Sequence, residues 1–213
     1  MPHLRRPWIC LAVATVVATA CDDGQPLGPS LSGSVVTVVD SGPALKTAIT
    51  FVLPDTVVEL ARSTFSLDHV HDDDIVAHVR EHLVSMGWRD LGSDPVATPD
   101  VVVLIAASTR VQTTVVYSDW FGSWGYLPYW GGVDASWAWG APVGAIPYEF
   151  PAGTLFVAML DLRAKREADK TIPLLWGAAV DGVISNAATT AERALFGLDQ
   201  AFVQSPYLNR EAQ

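Results

Sequence analysis

The alternation of apolar and polar positions is clearest over residues 153–182, GTLFVAMLDLRAKREADKTIPLLWGAAVDG. Residues 154–162 are apolar on both alternating sets. Phe156, Ala158, Leu160 and Leu162 form one set, and Leu155, Val157 and Met159 the other. A strand with that pattern is buried on both faces. A second strand places Ile172, Leu174, Trp176, Ala178 and Val180 on one side. Pro173, Leu175, Gly177, Ala179 and Asp181, mostly small or polar, take the other. The charged run RAKREADKT at 163–171 joins them, which predicts a hairpin with a solvated loop.

Upstream, residues 35–39 and 47–53 read as strands separated by Ser41-Gly42-Pro43, and a Pro54-Asp55 turn leads into a strand at 56–60. The period then changes. Ile75, Val76, Val79, Leu83 and Met86 recur at helical spacing. Asp72, Asp73 and Asp74 lie where a helix dipole favours negative charge, and Gly87 follows the end, so the helix is predicted over 72–86. Residues 88–91 read as a short strand, and residues 101–107 and 111–117 as a long or bent β-branched pair. A second helix is predicted over 189–204, with Thr189 and Glu192 as a capping box and Ser205-Pro206 as its stop. Its apolar stripe is Ala191, Leu195, Leu198 and Phe202. Gly197 lowers helix propensity by up to about 1 kcal/mol, so close packing against the sheet is expected there.

The first twenty residues have a different pattern. Arg5 and Arg6 precede a 13-residue apolar run, Trp8 to Ala20, which falls short of the roughly 20 residues that cross a bilayer as a helix. The run ends Ala18-Thr19-Ala20-Cys21, so residues 1–20 read as a signal peptide. The cysteine after small residues resembles the lipobox of bacterial lipoproteins, although Ala18 stands where Leu is usual. The alternative is a secreted protein cut elsewhere. Cys10 lies in the apolar run, so Cys21 is the single cysteine after cleavage; no disulfide and no Cys-ligated metal is expected. Residues 22–34, DDGQPLGPSLSGS, read as a flexible tether. The expectation is a lipid anchor on Cys21, holding the protein to a membrane of the cell envelope and facing the periplasm or exterior.

Charge narrows the partners. Two of the 13 basic residues, Arg5 and Arg6, lie in the leader, so 11 face 23 acidic residues, a formal charge of −12. Such a surface suits neither nucleic acid nor anionic lipid.

All four histidines outside the leader, His69, His71, His78 and His82, fall within 14 residues. His78 to His82 reads H-x-x-E-H, a pattern in which two imidazoles one turn apart bind Zn²⁺ and the intervening Glu81 acts as base. No later helix offers an evident third ligand. The histidines therefore read as the polar flank of an amphipathic helix. No metal and no cofactor are assigned, and His78 and His82 stand as the candidates if one binds. A zinc-dependent hydrolase using His78, Glu81 and His82 is the competing function. Asp161 and Asp181 are an acid pair that adjacent strands would bring together. The chain has no G-x-S-x-G, P-loop or dinucleotide-binding pattern.

Residues 119–149 hold five of the seven tryptophans beyond the leader, Trp120, Trp124, Trp130, Trp137 and Trp139, among Gly, Pro and Tyr. A stretch so long and irregular often marks function. Three readings stand: aromatics packed over a sheet face, a partner- or membrane-facing patch, and a sugar or ligand platform. An envelope protein or a glycan is the expected partner through this stretch.

Several features occur together in order: the lipobox, the helix ending Met86-Gly87-Trp88, Pro99-Asp100 before Val101-Val102-Val103, the aromatic stretch, Tyr148, Gly153-Thr154-Leu155, Asp161 and Leu175-Trp176-Gly177. Over residues 45–207 the chain resembles the bacterial envelope family known as domain of unknown function 4136. Arg163 stands where that family usually has a second acidic residue, and Trp176 and Gly177 adjoin where one residue often separates them. The resemblance implies an α+β fold and imports no catalytic residues. The expected whole is a single α+β domain over 35–207 and a tail at 208–213. Its sheet is expected to be mostly antiparallel, with two helices packed on one face and the aromatic Gly/Trp-rich insertion. Its expected role is non-enzymatic binding or assembly.

Overall fold

The computed structural model describes residues 34–60, 69–92, 98–108, 138–140, 153–166, 168, 170–183 and 187–211; the side chains of 60, 138–140 and 187–189 are outside that description. Among the described residues eight strands are formed: β1 (Val35–Val39), β2 (Thr50–Val52), β3 (Val58–Leu60), β4 (Arg89–Asp90), β5 (Val101–Ser108), β6 (Ala138–Gly140), β7 (Thr154–Asp161) and β8 (Thr171–Val180). The helices are a single turn α1 (Ala44–Thr47), then α2 (Asp72–Ser85) and α3 (Ala187–Val203). The main path across the sheet is β1-β8-β7-β5-β2-β4, with β3 on β5 and β6 on β8.

The sheet is mixed, where a mostly antiparallel one was expected. β1–β8, β8–β7 and β7–β5 are antiparallel; β5–β2, β5–β3, β2–β4 and β8–β6 are parallel. The pattern of apolar residues carries no strand direction. It is α2, standing in sequence between β2/β3 and β4/β5, that returns the chain for parallel pairing.

Strands β7 and β8 form the predicted hairpin. Leu155, Val157 and Met159 join one buried cluster and Phe156, Ala158, Leu160 and Leu162 the other, as alternation requires of a strand buried on both faces. On β8 the predicted single face breaks. Trp176, Ala178 and Val180 lie in the first cluster, but Ile172 and Leu174 lie in the second. Met159 pairs with Trp176 while Leu160 pairs with Leu174, so Leu175 is an extra residue, a β-bulge that reverses the parity of the strand.

Helices α2 and α3 share the first cluster with the sheet. From α2 it takes Ile75, Val76, Val79 and Leu83; from α3, Ala194, Leu198, Ala201 and Phe202. The predicted α3 stripe is therefore rotated: Leu198 and Phe202 are buried, while Leu195 is only half-buried and small Ala194, Gly197 and Ala201 make the seam. The helix starts at Ala187, so Thr189 lies inside it and is not its cap. Among the described residues no helix is long and apolar enough to cross a membrane.

The end of α2 explains Met86-Gly87-Trp88. The Gly87 amide donates to the Val84 carbonyl and the Trp88 amide to that of Leu83, each at 3.0 Å, with Gly87 at φ +85°. This reciprocal closure needs a left-handed residue. Residues 208–211 lie against the end of α2. Leu208 is fully buried, its carbonyl accepts from Trp88 Nε1 at 2.9 Å, and the Arg210 guanidinium lies 4.0 Å over the Trp88 ring.

Candidate functional site

His78 and His82 are one turn apart on α2 and face α3. There Asp199 lies on the turn before Phe202, because residues three apart share a helix face. Both imidazoles reach the same oxygen: His78 Nε2 is 2.8 Å and His82 Nε2 is 2.7 Å from Asp199 Oδ1. The rings are fixed by packing. His82 stacks on Phe202 with centroids 4.5 Å apart and planes 9° from parallel, and His78 meets His82 edge-on at 4.7 Å. Phe202 in turn stacks on buried Trp176, whose Nε1 donates to Ser205 Oγ at 2.9 Å. The cluster therefore rests directly on the core and opens to solvent, with side-chain exposures of 23% for His78, 27% for His82 and 46% for Asp199. Partial burial acts to raise the Asp199 pKa, but hydrogen bonds from His82 and His78 outweigh it and hold the carboxyl below its ordinary range.

Asp199 is what the sequence reading missed. It stands 117 residues beyond His82 and reads locally as a solvated helix charge. Its spacing from Phe202, one turn, was the available signal. Glu81, the base in the competing hydrolase reading, is exposed, and among the described residues it makes none of the cluster's hydrogen bonds.

The other sequence candidates separate. His69 Nδ1 is 2.8 Å from Asp72 Oδ2, and that oxygen also accepts the Val57 amide at 2.9 Å. Buried Asp72 thus ties the start of α2 to the approach to β3. Asp161 and Asp181 do not meet. Asp161 pairs with Val101 at one end of β7, whereas Val180, just before Asp181, pairs with Leu155 at the other, roughly 20 Å along the strand. Asp161 is instead bound by Arg163, which also donates to the Ala44 carbonyl and Thr47 Oγ1. Nearby, Asp100 Oδ2 accepts the amides of Ile49 and Thr50 at 2.8 and 2.9 Å, fixing the start of β2. Cys21, Trp120, Trp124, Trp130 and Trp137 lie outside the described residues. The backbone of Trp139 is in β6, paired with Ile172.

The sequence profile of the domain of unknown function DUF4136 matches residues 35–207. The chain belongs to the DUF4136 family. A crystal structure of a DUF4136 family protein from Bacteroides thetaiotaomicron is similar at 22% identity and a TM-score of 0.65, covering 84% of this chain and 98% of that one. That likeness is one of fold. PelC from Paraburkholderia phytofirmans, solved as a dodecamer, aligns at 15% identity and a TM-score of 0.37 over 83% of this chain and 98% of that one. A PDZ domain protein from Parabacteroides distasonis aligns at 13% identity and 0.39 over 82% and 36%. No curated protein matches. The DUF4136 match assigns no reaction, so chemistry at the His78–His82–Asp199 cluster has to be argued from its atoms.

Proposed function

We propose that this DUF4136 protein is a lipid-anchored component of the bacterial cell envelope that works by binding or assembly and is not an enzyme. The observation that carries this reading is the position of Cys21. It directly follows an apolar leader ending in small residues, and only the Gly/Pro/Ser-rich segment 22–34 separates it from β1. Strand β1 ends the main path of the sheet. Acyl chains on Cys21 contribute about 0.8 kcal/mol per buried CH₂, and more than one chain gives stable anchoring. The aromatic stretch 119–149 is the proposed contact with an envelope protein or a glycan, since Trp and Tyr combine a large apolar area with a polar edge.

The test is fractionation with metabolic labelling by a clickable fatty acid. The wild-type protein is expected in the membrane fraction and labelled; Cys21→Ser is expected unlabelled and released. A Cys21→Ser protein that stays in the membrane fraction would remove the anchor. Photocrosslinking from positions 123 and 131, beside Trp124 and Trp130, in intact cells tests the partner surface. Crosslinks that persist after both tryptophans are replaced by Ala would exclude those rings as the contact.

The hydrolase reading gains a third donor in Asp199 and lacks its base, since Glu81 stands in solvent. We therefore keep metal binding separate from catalysis.

A further inference from the structure

We propose that His78, His82 and Asp199 form a binding site for a divalent transition metal of the zinc class, which clamps α2 to α3. The inference does not depend on lipid anchoring.

Three donors from two helices converge, all lying within 4.8 Å of one another. Two are imidazole nitrogens and one is a carboxylate oxygen. That donor set selects zinc, cobalt, nickel or copper over magnesium and calcium, which take oxygen ligands. Metal–ligand bonds of about 2.0–2.2 Å at tetrahedral angles put the donors roughly 3.3 Å apart. The present separations of 2.7 and 2.8 Å between each Nε2 and Asp199 Oδ1 are short of that by about half an ångström. Side-chain rotation is the adjustment that changes these separations.

The rings are preorganised. The His82 plane is set by Phe202, and Phe202 by Trp176, so the imidazole does not have to be ordered on binding. Helical i, i+4 spacing sets the distance between the two histidines, and the packing of α3 on α2 brings in the carboxylate. Exposure of the cluster leaves one coordination position open to water or to a side chain of another protein. A metal here joins residues 117 and 121 positions apart and binds the folded state alone, so it stabilises the domain.

The test uses the full-length protein, purified without a polyhistidine tag, stripped with a chelator and titrated with Co²⁺, then with Zn²⁺. We expect one equivalent of Co²⁺ with the visible bands of a low-coordinate site, displacement by Zn²⁺, and a Tm raised by several degrees with either metal. Asp199→Asn, which keeps an acceptor for the histidines but is a poor ligand, is expected to weaken binding at least tenfold. His78→Gln/His82→Gln is expected to abolish it, and His69→Gln/His71→Gln to leave it unchanged. Failure of the stripped wild-type protein to take up one equivalent at micromolar metal overturns the proposal, as does unchanged binding by folded His78→Gln/His82→Gln. A measurement that needs no variant is paramagnetic broadening of wild-type resonances by Co²⁺. Broadening centred on residues 78, 82 and 199 supports the site, and broadening centred elsewhere overturns it.

Discussion

Arg163 grips Asp161 at two points, Nε to Oδ1 at 2.8 Å and Nη2 to Oδ2 at 2.9 Å, and its own amide donates to Oδ1 at 3.0 Å. Asp161 is 2% exposed and Arg163 31%, so the carboxylate is buried and its partner half in water. An acid at position 163 would face that carboxylate with like charge. Arg163→Ala would leave Asp161 buried without its counter-charge and would free the Ala44 carbonyl and Thr47 from their shared donor. Breaking a fully buried pair costs about 3–5 kcal/mol; with one partner partly solvated we expect about 2–4 kcal/mol by urea denaturation. Arg163→Lys should recover only part, since an ammonium cannot make the two-point contact. A loss under about 1 kcal/mol in Arg163→Ala would contradict this account.

Two carboxylates give pH dependences of opposite sign. Burial raises the pKa of Asp181, and the Thr154 hydroxyl hydrogen bond only partly opposes it. With the folded pKa above the unfolded one, its favourable contribution is complete below the unfolded pKa and is lost as pH rises through the folded one. Asp181→Asn keeps an acceptor for Thr154, so it should raise Tm at neutral pH and lose that advantage in acid. For Asp100, burial acts upward, but the Ile49 and Thr50 amides, the Thr50 hydroxyl and the charge of Arg163 outweigh it and lower the pKa. Its contribution is present above the unfolded pKa and is lost as pH falls through the folded one. Asp100→Asn should therefore lower Tm at neutral pH and converge with wild type in acid. Tm measured against pH for the two variants checks both signs, and parallel curves would refute the assignment.

The elements themselves were legible where a single periodicity ran uninterrupted. Both faces of β7 and the buried side of α2 follow directly from spacing, because every residue there obeys one period. β8 was misread beyond its middle because one bulged residue, Leu175, inverts the alternation, and a bulge leaves no mark in hydrophobicity. The α3 face was legible in part: Leu198, Phe202 and the close approach at Gly197 follow from the pattern, but Ala194 and Ala201 are buried too, and their small size does not register as an apolar stripe. Two of the three donors in the His78–His82–Asp199 cluster were legible, since i, i+4 histidines are a local pattern. Asp199 was not, since its proximity is created only when α3 packs on α2.

Trp88 Nε1 holds the Leu208 carbonyl, and the Trp88 ring supports the Arg210 guanidinium, whose pKa burial first and then Arg163 bring down to about 10. Trp88→Phe keeps most of the ring and leaves a buried acceptor without its donor, for an expected cost of about 1–3 kcal/mol. Trp88→Ala also opens a cavity, for about 3–5 kcal/mol, and should free the segment after Ser205. Limited trypsin digestion reads the second effect: cleavage after Arg210 should be slow in wild type, slightly faster in Trp88→Phe and much faster in Trp88→Ala. Equal rates in all three would mean that Trp88 does not hold this segment.

Gly197 touches β8 where no side chain fits. A Cβ built on it would lie 2.1 Å from Val180 Cγ1 and 3.2 Å from Cβ and Cγ2. Val180 is 2% exposed and β-branched, so its χ1 is restricted and it sits in a close-packed interior. Alanine improves helix propensity by up to about 1 kcal/mol at such a position, but overpacking typically costs about 1–3 kcal/mol. Overlap this deep puts the balance on the side of loss, and Gly197→Ala should destabilise by about 1–2 kcal/mol net. The cause is separable by a double-mutant cycle. Val180→Ala alone removes buried methyl groups and destabilises, but in its presence the new methyl at 197 has room, and the helix propensity gain is realised. The two changes together should therefore cost less than their sum by about 1 kcal/mol or more. Strict additivity would show that the helix accommodates alanine by shifting on the sheet, and that Gly197 does not set the approach of α3 to β8.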